Sequence, residues 1–360
     1  MARIGPTGSP DISVGQPSAP GYYRFTIYLI AAVALGLILY HGAAGLISGY
    51  RPPVKLIVYG FSTQEDILSQ QIFPAFEKAW EARNNRDLTI EGVYGPSGTL
   101  ANQIMMGAPA DVAIFSNEQH VTWLRVGRQV DAETEAVIIG RTPMVIVTRP
   151  GNPYGIRDFA DLAQPGLAVL HPEPGRSGAG DWALLAEYGS VYLAGGDRMA
   201  AEEQLAAIWK NVKVLGSSAR AALILFELGA GDALVTYEQD ALLAVDRGVA
   251  LEIVLPPRTI VAQHMAVVVD DNVTVSEEVA AQDFVDFLVG ETGRALLAQY
   301  HMRPPAQDSA AFAPVAKPFG IEDLGGWSKA YRDLIEGVWP AKLAPSLATE
   351  PLPTFQEGKD

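Results

Sequence analysis

Strand-like and helix-like patterns alternate along the chain after Pro52-Pro53, and this alternation constrains the fold more than any other feature. The strand-like runs are short and rich in aliphatic and β-branched residues; they lie at 55–59, 88–94, 111–115, 144–148, 167–170, 212–215 and 233–237. Apolar residues recur at helical spacing in the segments between and after them; these include 67–80, 97–106, 182–188, 221–228, 279–288 and 294–300. The alternation predicts an α/β fold with largely parallel sheets.

Some helix and loop boundaries are also readable from the sequence. The residues Thr63-Gln-Glu-Asp66 have the composition of a capping box and should start the helix that follows. From Pro340 onward, proline and polar residues predict a loose tail over 340–360.

The charge and the absence of cysteine exclude several kinds of protein. The chain carries 41 acidic residues against 26 Lys and Arg, a formal net charge of −15. An acidic protein repels a phosphate backbone, so we expect no nucleic-acid partner. With no Cys, there is no disulfide, no thiolate metal site and no Cys nucleophile. The lack of thiols also fits an oxidising periplasm.

The N-terminal region predicts a membrane segment. Residues 1–21 are rich in Gly, Pro and Ser and read as a flexible leader. Residues 22–50 contain an uncharged stretch from Phe25 to Ser48, which is long enough to span a bilayer as a helix. We favour an uncleaved anchor with the N-terminus inside; the alternative is a cleaved signal peptide.

Three junctions between a strand and a helix share one chemistry. They are Gly95-Pro-Ser-Gly-Thr99, Gly175-Arg-Ser-Gly-Ala-Gly180 and Gly216-Ser-Ser-Ala-Arg220. A helix start exposes unpaired N–H groups and about half a positive charge, so small and hydroxyl residues there allow an anion to approach closely. A single such junction is most simply a serine N-cap. Three in one chain predict an anion cage that needs no Lys or Arg.

The sequence gives little support for an enzyme. The histidines, His120, His171, His264 and His301 among them, have no metal-ligand spacing such as His-Glu-x-x-His. Ser177 does not satisfy a Gly-x-Ser-x-Gly elbow because position 179 is Ala. We expect no catalytic residues, no metal and no cofactor, and we interpret the histidines as surface or packing residues.

Several longer stretches resemble the periplasmic sulfate-binding proteins, the solute receptors of sulfate/thiosulfate ABC transporters. The resemblance covers residues 54–339 and is carried by the three junctions above together with Gly107–Val112, Val147–Pro153, Pro172–Trp182, Gly231–Ala241, Tyr300–Pro304 and Phe319–Trp327. It implies a two-lobed type II binding-protein fold with a hinge. Lobe one would comprise residues 54–142 and 256–339, and lobe two residues 143–255.

The resemblance also implies a set of ligand residues that hold a dehydrated sulfate by neutral donors. Carried over by motif, Ser97 is the donor from lobe one, Ser177, Gly178 and Ala179 are the donors from lobe two, and Ala219 supplies a backbone N–H. Two positions depart from the family pattern: Ser62 lies where an Asp is usual, and Tyr237 lies where a Trp is usual. Both departures resemble molybdate-binding proteins. Arg176 and Arg220 are expected at the rim of the site.

These features predict an extracytoplasmic, monomeric receptor that captures sulfate or thiosulfate and delivers it to an ABC transporter permease. Molybdate, tungstate or another tetrahedral oxyanion is the alternative ligand. A membrane-tethered anion sensor or assembly protein is the alternative of another class. A leader of about 20 residues is too short for an enzymatic output domain, which favours the receptor.

Overall fold

The computed structural model describes residues 21–48, 51–305 and 311–347, and the chain divides into two compact units, Met1–Pro52 and Pro53–Asp360. In the first unit the described residues form one helix, α1 (Gly21–Ser48). No helix among the described residues is both long enough and apolar enough to cross a membrane, so the structure does not support the predicted transmembrane segment at 22–50. The predicted leader at 1–21 lies almost wholly outside the described residues.

The second unit is built around a mixed sheet. Its strands are β1 (Val54–Phe61), β2 (Leu88–Gly95), β3 (Val112–Phe115), β4 (Val137–Thr148), β5 (Val169–Pro172), β6 (Val212–Gly216), β7 (Ala233–Tyr237), β8 (Glu252–Val254), β9 (Arg258–Val268) and β10 (Lys317–Phe319). The main path runs β2-β1-β3-β9-β4-β7-β5-β6, with β8 beside β4 and β10 beside β9. The predicted α/β class is therefore correct.

Helices connect most of these strands. Among the described residues of this unit the α-helices are α2 (Glu65–Ile67), α3 (Phe73–Asn84), α4 (Ser97–Met105), α5 (Glu118–Val126), α6 (Gly178–Tyr192), α7 (Arg198–Trp209), α8 (Ala219–Glu227), α9 (Glu238–Asp246), α10 (Glu278–Val289), α11 (Glu291–Gln299), α12 (Trp327–Ala330) and α13 (Ala344–Leu347). Shorter 3-10 turns lie at Ser62–Gln64, Phe159–Ala163 and Ile321–Leu324, and π-helical segments at Leu68–Ile72 and Tyr331–Leu343.

Strand β4 belongs to both halves of the sheet. Its first part, through Pro143, pairs with β9, whereas from Met144 onward it pairs with β7 and β8. All of these pairings, and that of β3 with β9, are antiparallel. The expectation of largely parallel sheets is therefore only partly met. Four parallel pairs flank the two long strands that cross the middle, and β10 forms a fifth parallel pair with the start of β9.

Two local predictions are wrong. Thr63 does not start a capping box, because the chain leaves β1 directly into a 3-10 turn that already contains Thr63. The predicted loose tail also begins too early. Pro340 lies inside the π-helical segment, and the helical structure runs on to Leu347. Val338 and Leu343 on either side of Pro340 are buried, and this burial holds the segment against the core.

Residues 311–347, the C-terminal segment, pack against both halves of the sheet. Strand β10 pairs with the start of β9. Trp327 packs edge-on against Trp182 of α6, with 4.6 Å between ring centroids, and Tyr331 packs against Trp123 of α5 at 5.5 Å. Helix α5 follows β3 and helix α6 follows β5, so the two helices belong to different halves of the unit. The C-terminal segment contacts both helices and therefore links the two halves.

A buried ion pair joins Arg303, just after α11, to Glu238 at the start of α9. The Arg303 guanidinium donates two hydrogen bonds of 2.7 Å to the Glu238 carboxylate and one of 2.7 Å to the Ala313 carbonyl. Only 2% of the Arg303 side chain is exposed. Such a pair adds little net stability, but removing one partner leaves an uncompensated buried charge.

We predict that Arg303→Met lowers the free energy of unfolding by about 3–5 kcal/mol, because the Glu238 carboxylate loses its partner. Urea denaturation followed by circular dichroism measures this value. The matched control is Lys55→Met, which removes the exposed pair with Glu91 and should cost less than about 1 kcal/mol. Equal effects of the two variants would contradict the prediction.

Candidate functional site

One small cavity lies where strand ends and helix starts meet. It is lined by Phe61, Ser62, Pro96, Ser97, Ser116, Ser177, Gly178, Ala179, Ala219 and Tyr237. All seven predicted ligand residues are in this lining, although they are spread over 176 positions of the chain (62 to 237, counted inclusively). The empty space among them is about 170 Å³, including its open side.

Helix α4 presents its N-terminus to the cavity. The preceding residue, Pro96, has no N–H and an extended conformation, which sets the direction of the first turn. Ser97 is the first helical residue and is 2% exposed. Its hydroxyl accepts a hydrogen bond from the Ser116 N–H at 3.1 Å and lies 2.9 Å from His120 Nδ1.

Helix α6 presents its N-terminus from the other half of the sheet. Its N-cap residue, Ser177, makes no side-chain capping bond, so the hydroxyl is not committed to its own helix. The next residue must be glycine. A Cβ built on Gly178 would lie 1.7 Å from the Ser116 hydroxyl. The bare backbone of Gly178 and the small side chain of Ala179 leave the first-turn N–H groups accessible.

Helix α8 supplies the third N-terminus. Its N-cap, Ser218, uses its hydroxyl to accept a hydrogen bond from the Ala221 N–H. The Ala219 N–H is one of the first-turn donors that have no partner inside the helix. The methyl side chain of Ala219 keeps the approach to that donor open. Residues from three helix starts thus line one cavity.

The cavity contains no formal charge. None of the ten lining residues is Lys, Arg, Asp, Glu or His. Three helix N-termini, each equivalent to about half a positive charge, give the space a positive potential without any basic side chain. Burial makes this effect stronger than it would be in water.

Ser62 and Tyr237 lie at the side of the cavity. The Ser62 backbone carbonyl accepts a hydrogen bond of 3.3 Å from Arg220, and its side chain is nearly buried. Tyr237 is the N-cap residue of α9 and is fully buried. Desolvation raises the pKa of its phenol well above the ordinary value, so the hydroxyl stays neutral and can donate.

The two predicted rim arginines lie outside the lining. Arg176 is half-exposed and pairs loosely with Glu173 at 3.5 Å, while its backbone carbonyl accepts from the Gly98 N–H. Arg220 donates to Glu65 at 2.7 Å and to Asp66 at 2.8 Å. The Arg220 side chain thus connects the start of α8 to the residues that follow β1. The rim arginines therefore contact protein groups, not the cavity.

Sequence reasoning missed Ser116, Phe61 and Pro96. Ser116 follows β3, and its side-chain oxygen is buried with no hydrogen-bond partner among the described residues. Its signal was the end of a buried strand, where binding residues of α/β sheets are found. Phe61 ends β1 and packs on Tyr237 and His264, with centroid distances of 6.4 Å and 4.6 Å.

A layer of buried polar groups lies behind the cavity. The Asp181 carboxylate accepts from the Gly175 N–H at 2.7 Å and from the Asn117 amide at 3.2 Å. Among the described residues His120 Nε2 has no hydrogen-bond partner, and it lies 4.0 Å from Asp181 Oδ2. Desolvation raises the pKa of Asp181 to about 7 and lowers the pKa of His120 to about 3. Desolvation also lowers the pKa of His264 to about 4.

The histidines were predicted as surface or packing residues. His120, His171 and His264 are fully buried, and each lies within hydrogen-bonding distance of a neighbouring oxygen atom. Within the described part of the chain, no group of three or more His, Asp or Glu side chains is arranged to hold a metal ion. The polar layer therefore contacts protein atoms and the cavity lining.

We predict that Gly178→Ala destabilises the protein by about 1–3 kcal/mol, because the new methyl group collides with Ser116. Thermal or urea unfolding measures the loss. Gly320→Ala is the matched control, since no atom lies within 4 Å of its Cβ position and its φ is −114°. The second-site change Ser116→Gly should recover part of the loss in a double-mutant cycle. A fully additive cycle would refute the proposed collision.

The chain is similar to known solute-binding proteins. Residues 58–303 match the family model described as bacterial extracellular solute-binding protein. The chain is 32% identical to the sulfate-binding protein of Escherichia coli K12 over 287 residues, which covers 74% of this chain and 85% of the relative. It is 30% identical to the thiosulfate-binding protein of Pseudomonas aeruginosa over 270 residues, which covers 72% and 81%.

A solved structure shows the same fold. The sulfate-binding protein SubI from Mycobacterium tuberculosis superposes with a TM-score of 0.72 at 30% sequence identity. The match covers 78% of this chain and 99% of SubI. The described residues thus share both sequence and architecture with proteins of one group.

Proposed function

Because the chain belongs to the bacterial extracellular solute-binding proteins, we propose that it captures sulfate or thiosulfate in the cavity and delivers it to an ABC importer. The observation that carries this proposal is the convergence of three helix N-termini on a small cavity without charged side chains. The relatives at about 30% identity are named for the same two anions. The receptor acts on the extracytoplasmic face and has a transport role.

The donor set accounts for the capture of a dianion. Residues at the starts of α4, α6 and α8 line the same space, and we assign their free first-turn N–H groups and the Ser177 hydroxyl as the donors to the anion. Hydrogen bonds from such donors to a charged oxygen are each worth about 1.5–3 kcal/mol. Several of them together can replace the water that sulfate gives up on entry.

The same donor set explains discrimination against hydrogen phosphate. That anion carries a proton, which needs an acceptor when it is buried. A cavity of donors leaves the proton without a partner, and an unsatisfied buried donor costs about 1–3 kcal/mol. Ser62 replaces the acidic residue expected in the first loop and so removes one possible acceptor.

We propose that the two lobes move about β4 and the link between β8 and β9. Support comes from the exchange of partners in β4 between Pro143 and Met144. The proposed lobe two, residues 143–255, would then hold α6 and α8, and lobe one would hold α4. The contacts of Arg220 with Glu65 and Asp66 would form on closure and open on release.

We also propose that residues 22–50 anchor the receptor to the membrane. The support is the uncharged stretch from Phe25 to Ser48 in the sequence. We predict that the protein expressed in its bacterial host stays in the membrane fraction after carbonate extraction and keeps its N-terminal residues in mass spectrometry. Release into the soluble fraction with a shortened N-terminus would contradict the anchor.

We predict that Ser177→Ala weakens sulfate binding by about ten- to one-hundredfold, because it removes a neutral donor to a charged oxygen. Isothermal titration calorimetry of the purified chain with sulfate measures the change. The matched control is Ser218→Ala, whose hydroxyl caps α8 and does not line the cavity. That control should lose stability, about 1 kcal/mol, with little loss of affinity.

An unchanged affinity in Ser177→Ala would refute the direct contact. Parallel titration of the unaltered protein with molybdate tests the ligand itself. Tight molybdate binding without measurable heat from sulfate would overturn the assignment of sulfate.

A further inference from the structure

We propose that the Ser116 hydroxyl, at the end of β3, is a further ligand group that donates a hydrogen bond directly to the bound anion. The inference rests on the proposed function, since it assumes that an oxyanion occupies the cavity. Ser116 lines the cavity and is 1% exposed. Neither the local patterns of the sequence nor the family resemblance indicated this residue.

The backbone of Ser116 is already committed to neighbouring side chains. Its N–H donates to the Ser97 hydroxyl at 3.1 Å. Its carbonyl accepts from the Trp182 indole at 2.7 Å and lies 3.3 Å from His264 Nδ1. These contacts fix the position of the residue, and they leave the hydroxyl as the one polar group of Ser116 that is available to a ligand.

The hydroxyl itself is buried without a partner. Its oxygen has no hydrogen bond to any residue in the described part of the chain. Leaving a buried hydroxyl unpaired costs free energy, so a group of this kind in a native structure calls for a partner. The cavity that Ser116 lines is the place from which that partner can come.

The hydroxyl lies at the start of α6, among the proposed donors. A Cβ built on Gly178 would lie 1.7 Å from Ser116 Oγ. The hydroxyl therefore takes the place of the side chain that the first residue of α6 lacks. An anion that accepts from the first-turn N–H groups of α6 comes within reach of this hydroxyl. Glycine at position 178 thus makes room for a ligand group from another strand.

A second unpartnered hydroxyl lies next to it. Tyr237 also lines the cavity and is fully buried, and its phenol oxygen has no hydrogen bond to another described residue. Burial raises the pKa of this phenol, and the Ser116 hydroxyl opposes that rise, which places the two hydroxyls near each other. Two neutral hydroxyls hold two hydrogens. If one hydrogen lies between the two oxygens, the other is still free for the anion.

The test is calorimetric titration of Ser116→Ala with sulfate. Because the variant lacks one donor to a charged oxygen, we expect sulfate to bind about tenfold more weakly than to the unaltered protein. The hydroxyl has no partner within the described protein, so the midpoint of thermal unfolding without sulfate should change by less than about 2 °C. A loss of affinity without a loss of stability distinguishes a ligand group from a packing group.

Thr236, the residue before Tyr237, provides the matched control. Its hydroxyl is likewise buried and without a partner among the described residues, but Thr236 does not line the cavity. Thr236→Val removes this hydroxyl and keeps the branched shape of the side chain. We expect the sulfate affinity of this variant to equal that of the unaltered protein.

An unchanged affinity in Ser116→Ala would overturn the inference and leave the proposed function intact. An equal loss of affinity in Thr236→Val would also overturn it, because the loss would then follow from removing any buried hydroxyl.

If Ser116→Ala does not fold, as judged by circular dichroism, a crystal structure of the unaltered protein with sulfate decides. The inference requires Ser116 Oγ to lie within about 3 Å of a sulfate oxygen, and a distance beyond about 3.5 Å overturns it. If the unaltered protein binds neither sulfate nor thiosulfate, the proposed function fails, and the inference fails with it.

Discussion

The N–H groups in the first turns of α4, α6 and α8 have no acceptor within their own helices, and the site depends on this constraint. Elsewhere in a protein such groups are capped by side chains or by water. Here the caps are weak or absent on the cavity side: Pro96 has no capping side chain, and Ser177 makes no capping bond. Small residues around the helix starts keep the donors accessible. An anion is the partner that we propose for all three helix starts together.

This arrangement reconciles an anionic ligand with an acidic protein. The chain carries a formal net charge of −15, yet no charged side chain lines the cavity. Net charge acts over long distances and is screened beyond about 8 Å at physiological ionic strength. Helix dipoles and N–H donors act at contact distance in a buried space. The negative net charge therefore argues against capture of the anion by a basic patch, and it is compatible with capture of the anion by neutral donors.

Contacts in the buried layer behind the cavity hold the residues that line the cavity in place. Ser116 contacts three parts of this layer: its N–H donates to Ser97, and its carbonyl accepts from Trp182 at 2.7 Å and lies 3.3 Å from His264 Nδ1. Trp182 belongs to α6, so these contacts hold α6 near β3. Where Gly178 passes Ser116, a side chain would not fit. The position of the α6 N-terminus thus depends on packing between residues from both halves of the sheet.

The strand–helix alternation was predicted from the sequence because it is a local pattern. The seven residues that meet at the cavity came from the resemblance to sulfate-binding proteins, which agreed with the local pattern at the three helix starts and alone indicated Ser62 and Tyr237. Glycine, serine and alanine at a helix start leave N–H groups accessible, but one such junction is most simply an N-cap, and only the convergence of three indicates an anion site. Other features depend on contacts between distant residues and left no local signal. His120 and Asp181, for example, are 61 positions apart (181 minus 120), and the close approach of Ser116 to Gly178 joins residues that are 62 positions apart (178 minus 116). The exchange of partners in β4 and the continuation of the helix through Pro340 likewise arise from tertiary packing.

A crystal structure of the protein with bound sulfate tests the central claim most directly. The account predicts that the sulfate oxygens accept hydrogen bonds from backbone N–H groups at the starts of α4, α6 and α8 and from the Ser177 hydroxyl. No Lys or Arg side chain should touch the anion. Sulfate held by the guanidinium of Arg176 or Arg220, or bound outside the cavity, would contradict it.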